Sequence, residues 1–166
     1  RMIEGVDKLP NGALITDTAM RTSDPDIYAA GDCATVLHRV LQKPVYLPLG
    51  TNANKQGRLA GDSMLGKPVC FDRALGTSML RLMGLEFACT GVNEKTAKAQ
   101  GIPYKANTVT ARSHAIYYPD PAVITVKLIS DPDTKRILGA QLMGAKETAL
   151  RIDVFACAID RGMTTN

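Results

Sequence analysis

The chain has 166 residues, a formal net charge of +4 at pH 7 and 45% hydrophobic side chains. That length suits one ordinary domain or two small ones, and the hydrophobic content excludes intrinsic disorder. No apolar run approaches the ~20 residues of a membrane-spanning helix, and each half holds 10 basic and 8 acidic residues, which argues against a nucleic-acid or membrane-binding patch.

The opening residues Arg1-Met2-Ile3-Glu4-Gly5 lead into no apolar signal-peptide region. Leu14–Asp17 reads as a short strand. Thr22–Pro25 is a turn, with Ser23 and Asp24 ahead of the proline. Asp26–Ala30 reads as a second strand, closed by Gly31-Asp32. Val45-Tyr46-Leu47 is extended before Pro48. Thr51 to Leu65 has helical character, with Thr51 as N-cap and Gly66 and Pro68 as stop signals. Ala53, Gly57, Ala60, Gly61 and Met64 share one face of it, so a close neighbour is expected there. After Gly66-Lys67-Pro68 the texture changes. Strands are expected at 77–82, 86–90 and 105–112. Asn93 caps a short helix, 94–100, ended by Gly101 and Pro103. Val123–Ile129 is rich in β-branched residues. It turns at Asp131-Pro132-Asp133-Thr134 and returns as Arg136–Met143, a β-hairpin. Glu147–Arg161 then reads as a helix, with Ala149, Ile152, Ala156 and Ile159 at helical spacing. Leu150, Val154, Phe155 and Cys157 widen its apolar arc, so it asks for cover on more than one side.

Cys33, Cys70, Cys89 and Cys157 form no C-x-x-C pair, and the only histidines are His38 and His114. That set holds no structural zinc site. The cysteines are expected as small buried hydrophobes of a reducing, cytoplasmic compartment, with a single reactive thiol as the alternative. Gly61-x-x-x-x-Gly66-Lys67 imitates a phosphate-binding loop, but Pro68 stands where a metal-holding hydroxyl belongs and no strand precedes it. A G-x-G-x-x-G fingerprint is absent.

The informative stretch is Thr22-Ser23-Asp24-Pro25-Asp26-Ile27-Tyr28-Ala29-Ala30-Gly31-Asp32. A run of small residues ending in Gly-Asp suits close approach of the backbone to a ligand. Asp32 then offers an acceptor-only group suited to sugar-type hydroxyls. An isolated Gly-Asp would be an ordinary turn, but the longer pattern resembles the second FAD-binding motif of the pyridine nucleotide-disulfide oxidoreductases. The resemblance implies that Gly31 and Asp32 contact FAD, Asp32 through its ribitol chain. Leu47-Pro48-Leu49-Gly50-Thr51-Asn52 resembles the family's later flavin-contacting turn and helix. It implies that Leu49, Gly50 and Thr51 line the pyrimidine end of the isoalloxazine, although relatives more often carry Ala at the position of Gly50. A helix starting near Thr51 would aim unpaired N–H groups and about half a unit of positive charge at that end, which favours reduction of the flavin.

Residues 75–166 resemble the family's C-terminal dimerisation domain through Thr90-Gly91-Val92-Asn93-Glu94-Lys95, Ile137-Leu138-Gly139-Ala140-Gln141 and Asp153-Val154-Phe155-Ala156. His114-Ala115-Ile116-Tyr117-Tyr118-Pro119 is most similar to the CoA-disulfide reductases and the related NADH oxidases and persulfide reductases. The resemblance implies an α+β chain: residues 1–72 as the C-terminal segment of an FAD-binding domain, and residues 73–166 as a truncated dimerisation domain with an antiparallel sheet. It implies a homodimer through residues 75–166, NAD(P)H as co-substrate, and a small disulfide, a persulfide or oxygen as acceptor. Tyr117 and Tyr118 are the expected assisting residues, acting on the partner's site. Tyr118 is preferred, because an alternating strand would send the two to opposite faces. His114, without a visible partner, is read as structural. The family's redox cysteine, first FAD fingerprint and NAD(P)H domain have no counterpart here, so a fragment that is inactive alone is expected. The rival reading is a non-catalytic dimerisation or interaction module that keeps the fold.

Overall fold

A computed structural model of the chain describes residues 3–166. Arg1 and Met2 of the opening segment lie outside the described residues. The chain divides into two compact units, one ending at Ala74 and one spanning Leu75–Asn166.

In the first unit turns, more than ladders, satisfy the backbone. Val6, Leu14, Ala29 and Ala34 form a small core, with Ile27 packed on it. The strands expected over Leu14–Asp17 and Asp26–Ala30 are reduced to isolated bridges. Leu14 meets Lys8 and Ala34, and Tyr28 meets Arg21. A ladder needs a neighbour along the strand's whole length, and none flanks these segments among the described residues. A short antiparallel pair follows, β1 (Val36–Leu37) with β2 (Pro44–Val45).

Helix α1 (Gly50–Met64) begins one residue before the expected start, with Leu49 as N-cap. Its C-terminus matches expectation. Gly66 adopts φ +75°, and the Gly66 and Lys67 N–H groups return to the Ser63 and Asp62 carbonyls. The buried face of α1 corrects the expected one, since it carries Asn52, Gln56, Ala60 and Ser63. A Cβ added at Gly57 or Gly61 would meet nothing within 4 Å, and Met64 is 61% exposed. The polar stripe faces inward because its amides find partners there, as described below.

The second unit is a five-stranded antiparallel sheet in the order β3-β4-β7-β6-β5. The strands are β3 (Ser78–Leu82), β4 (Leu85–Gly91), β5 (Lys105–Arg112), β6 (Val123–Ser130) and β7 (Ile137–Gly144), close to the expected positions. Helix α2 (Glu94–Ala99) is capped as expected, the Asn93 side-chain Oδ1 accepting the Thr96 N–H at 2.8 Å. Asp131 Oδ1 accepts from the Asp133 and Thr134 N–H groups and so fixes the β6–β7 turn. Helix α3 (Ile152–Asp160) starts later than expected, because Ala149–Arg151 forms a 3-10 turn. Its residue Ile152 joins Ala88, Ala140 and Leu142 in the core, with Val126, Leu128 and Phe155 against them.

Glu86 of β4 latches that helix to the sheet. Its Oε2 accepts the N–H groups of Thr148 and Ala149 at 2.9 and 3.0 Å. Those bonds, Ala149 first, hold its carboxyl below the usual range, with help from nearby Arg81 and against desolvation. A lowered folded pKa stabilises above the unfolded value and is lost as pH falls through the folded one. The melting temperature is therefore expected to drop as pH falls through and below the ordinary carboxylate range. Glu86→Gln is expected to flatten that acid limb in thermal melts; an unaltered slope would contradict the latch.

Alternation leaves the opposite sheet face open. On it Leu80, Phe87, Met143 and Thr125 form one cross-strand row, and Ser78, Cys89, Gln141 and Lys127 the next. Cys89 thus points away from α3, its Sγ 3.2 Å from Ser78 Oγ. All four cysteines are exposed and free, which corrects the expectation that they are buried packing residues.

Candidate functional site

The stretch Thr22–Asp32 is built by its own polar side chains. Thr22 Oγ1 donates to the Ile27 carbonyl at 2.9 Å, Asp24 Oδ1 accepts the Asp26 N–H at 2.9 Å, and Ser23 Oγ accepts the Asp7 N–H at 2.9 Å. The Ala29 N–H reaches the Met20 carbonyl at 3.0 Å. These residues shape the backbone that delivers Gly31 and Asp32.

Gly31–Cys33 is a 3-10 turn, closed by the Ala34 N–H on the Gly31 carbonyl at 3.0 Å. Gly31 adopts φ +81°, a conformation that side chains disfavour, and a Cβ there would lie 3.5 Å from the Ala53 Cβ. The turn therefore rests on the first turns of α1. Gln56, 1% exposed, joins the two: its Oε1 accepts the Gly31 N–H and its Nε2 donates to the Thr35 carbonyl, both at 2.9 Å. Sequence reading missed Gln56, because hydrophobic periodicity does not flag a polar buried stripe. The available signal was the helical spacing of the uncharged Asn52, Gln56, Ala60 and Ser63.

Gly31 and Asp32 are thus brought beside the start of α1, where Gly50 and Thr51 stand. Thr51 is exposed and does not cap the helix. Leu49 in the N-cap position has no side-chain acceptor, no acidic residue lies in the first turn, and the Asn52 side chain turns back to the Leu47 carbonyl at 3.2 Å. The first N–H groups are left for another acceptor, next to the positive end of the helix dipole. Asp32 is exposed and makes no side-chain hydrogen bond or ion pair among the described residues. With Asn11, Gly12, Ala13, Cys33 and Tyr46 it lines a concavity of about 310 Å³. An acceptor-only carboxylate and unpaired donors on one short stretch of surface suit a ligand that carries hydroxyls and an electron-rich edge.

Tyr117 and Tyr118 belong to the second unit, and there the strand expectation fails. β5 ends at Arg112, and the Tyr118 N–H closes a turn on the Ala115 carbonyl at 3.1 Å. In a turn, alternation does not apply. The two rings lie 4.9 Å apart, both exposed, and His114 adds an edge-on contact to Tyr118 at 6.1 Å. Ser113 at the loop base pairs with Ala122, and Arg151 Nη2 donates to the Ser113 carbonyl at 2.6 Å. A larger concavity of the second unit, about 660 Å³, lies on the open sheet face and includes neither tyrosine.

Comparison with known proteins gives two family matches. Residues 79–166 match the pyridine nucleotide-disulphide oxidoreductase dimerisation domain, and residues 4–57 match pyridine nucleotide-disulphide oxidoreductase. A Pyrococcus furiosus protein named NAD(P)H sulfur oxidoreductase (CoA-dependent) is 38% identical over 161 residues, 97% of this chain and 36% of that protein. Among solved structures, an NAD-dependent persulfide reductase from A. fulgidus superposes with a TM-score of 0.89 at 38% identity, over 96% of this chain and 29% of its own. A water-forming NADH oxidase from Lactobacillus brevis does so with 0.90 at 35% identity, over 96% and 35%. The chain spans about a third of the length of these relatives. No helix among the described residues is long and apolar enough to cross a membrane.

Proposed function

The chain belongs to the pyridine nucleotide-disulphide oxidoreductase family, and on that premise we propose that it is part of an FAD-dependent NAD(P)H:disulfide oxidoreductase of the CoA-disulfide reductase type, inactive by itself. The observation that carries this reading is the Gly31–Asp32 turn held beside the uncapped start of α1. The residues fit the cofactor. Gly31 lets the backbone come close, and the Asp32 carboxylate accepts from ribitol hydroxyls. The helix start at Leu49, Gly50 and Thr51 offers donors to the pyrimidine end of the isoalloxazine. A methyl at Gly50 would meet nothing within 4 Å, so the alanine of many relatives fits the same backbone. When bound, FAD supplies electron transfer from NAD(P)H to a disulfide, a persulfide or oxygen.

Residues 1–72 then complete an FAD-binding domain, residues 73–166 make up the dimerisation domain, and residues 75–166 form the contact of a homodimer. Leu150 of the 3-10 turn at 75% and Val154 of α3 at 70% exposure support this turn and helix as a covered face in that dimer. Tyr117 and Tyr118 act on the partner's site, where a phenol donates a hydrogen bond without adding charge. Four free thiols support a cytoplasmic location.

The test uses the intact protein. It is expected to purify yellow, to lose its flavin absorbance on adding NADH or NADPH, and to regain it with CoA disulfide, a persulfide or oxygen. Tyr118→Phe is expected to slow reoxidation about tenfold, the loss of one hydrogen bond to a charged group, while flavin reduction is unchanged. Tyr118→Phe subunits mixed with subunits lacking the redox cysteine are expected to regain about one active site per heterodimer. A colourless protein that does not oxidise NAD(P)H would overturn the reading.

A further inference from the structure

We infer that Gln56 is a positioning residue for FAD: a single buried amide that ties the Gly31–Asp32 turn to α1 and so sets where the ribitol-binding carboxylate stands relative to the helix start. This rests on the reading of Asp32 and of Leu49–Thr51 as FAD contacts. Gln56 is 1% exposed, and both ends of its amide are used, on the Gly31 N–H and the Thr35 carbonyl. Those two partners bracket the 3-10 turn of Gly31–Cys33. The Gln56 bond to Gly31 anchors that turn to α1 by a directional contact, and beside it Ala53 gives only van der Waals support. Gln56 follows Gly50 with five residues of continuous helix between them, so the anchor and the helix start move as one body. A buried amide with both groups satisfied cannot be exchanged for an apolar side chain without stranding its partners. Its loss therefore lets the turn leave the orientation that presents Asp32.

The experiment measures FAD dissociation constants by fluorescence titration of the intact, deflavinated enzyme. Gln56→Met keeps the length and apolar bulk but loses both bonds. FAD is expected to bind about tenfold or more weakly, as when only a tenth of the molecules hold the competent turn. Gln56→Glu, which keeps an acceptor for the Gly31 N–H, is expected to bind more tightly than Gln56→Met. In an Asp32→Asn background the further effect of Gln56→Met is expected to shrink to about threefold or less, because both changes act through one contact. An unchanged dissociation constant, equal weakening by Glu and Met, or the same factor in both backgrounds would overturn the role. If Gln56→Met does not fold, the same cycle with Gln56→Glu decides alone. Wild-type enzyme with no affinity for FAD would instead sink the FAD reading itself.

Discussion

An Asp32→Ala variant of the intact enzyme is expected to leave a gel-filtration column without its flavin. A hydrogen bond to a charged group contributes roughly 1.5–3 kcal/mol, which is about ten- to hundredfold or more in affinity. The effect should be confined to the ligand. Asp32 is exposed and holds no other part of the chain among the described residues, while the turn that carries it is fixed by Gln56 and by the Ala34 N–H. Thermal unfolding of the flavin-free variant should therefore match wild type within about 0.5 kcal/mol, as for an ordinary surface change. A variant that stays fully yellow after dialysis would falsify the assignment of Asp32.

Gly139→Ala is expected to prevent folding of the second unit. An added Cβ would stand 1.8 Å from the Val92 carbonyl oxygen and 2.7 Å from that residue's carbonyl carbon and nitrogen. These are backbone atoms of the segment that leads from β4 into α2, and they have no rotamer to yield. Val92 itself is 1% exposed. The cost should exceed about 4 kcal/mol, an exceptional value for one methyl group and a large share of a domain's stability of roughly 5–15 kcal/mol. Gly57→Ala is the control. It meets nothing within 4 Å in mid-helix and should stabilise α1 by roughly 0.5–1 kcal/mol. Circular dichroism and soluble yield distinguish the two outcomes. A Gly139→Ala protein that melts like wild type would show that the β4–α2 segment can shift.

The sequence made the punctuation readable. Gly66, Asn93 and Asp131 each act through a contact to a residue a few positions away, and such contacts leave local signatures. The Gly31-Asp32 turn was readable as a motif, yet its causes were not. Ser23 reaches Asp7, and Gln56 reaches Gly31, from far along the chain. Leu14–Asp17 and Asp26–Ala30 have strand character in composition, but a strand is completed by neighbours that local pattern cannot supply. The expectation that Tyr117 and Tyr118 point to opposite faces fails because the strand period does not extend past Arg112 into the turn. The cysteines were misread for a related reason. Residue type favours burial, whereas position on a strand decides which face Cys89 takes.

The strand order has a consequence for how the second unit forms and comes apart. β3 and β4 meet across the two-residue turn Met83-Gly84, both at positive φ, and β5, β6 and β7 follow one another as a meander. Both pieces can assemble from contacts close in sequence. The β4–β7 seam joins residues dozens of positions apart, such as Glu86 with Gly144, and its loop must close before its bonds are gained. The seam is thus expected to form last. The exposed edge strand β3, bound to the sheet through β4 alone, is the natural unit of partial opening.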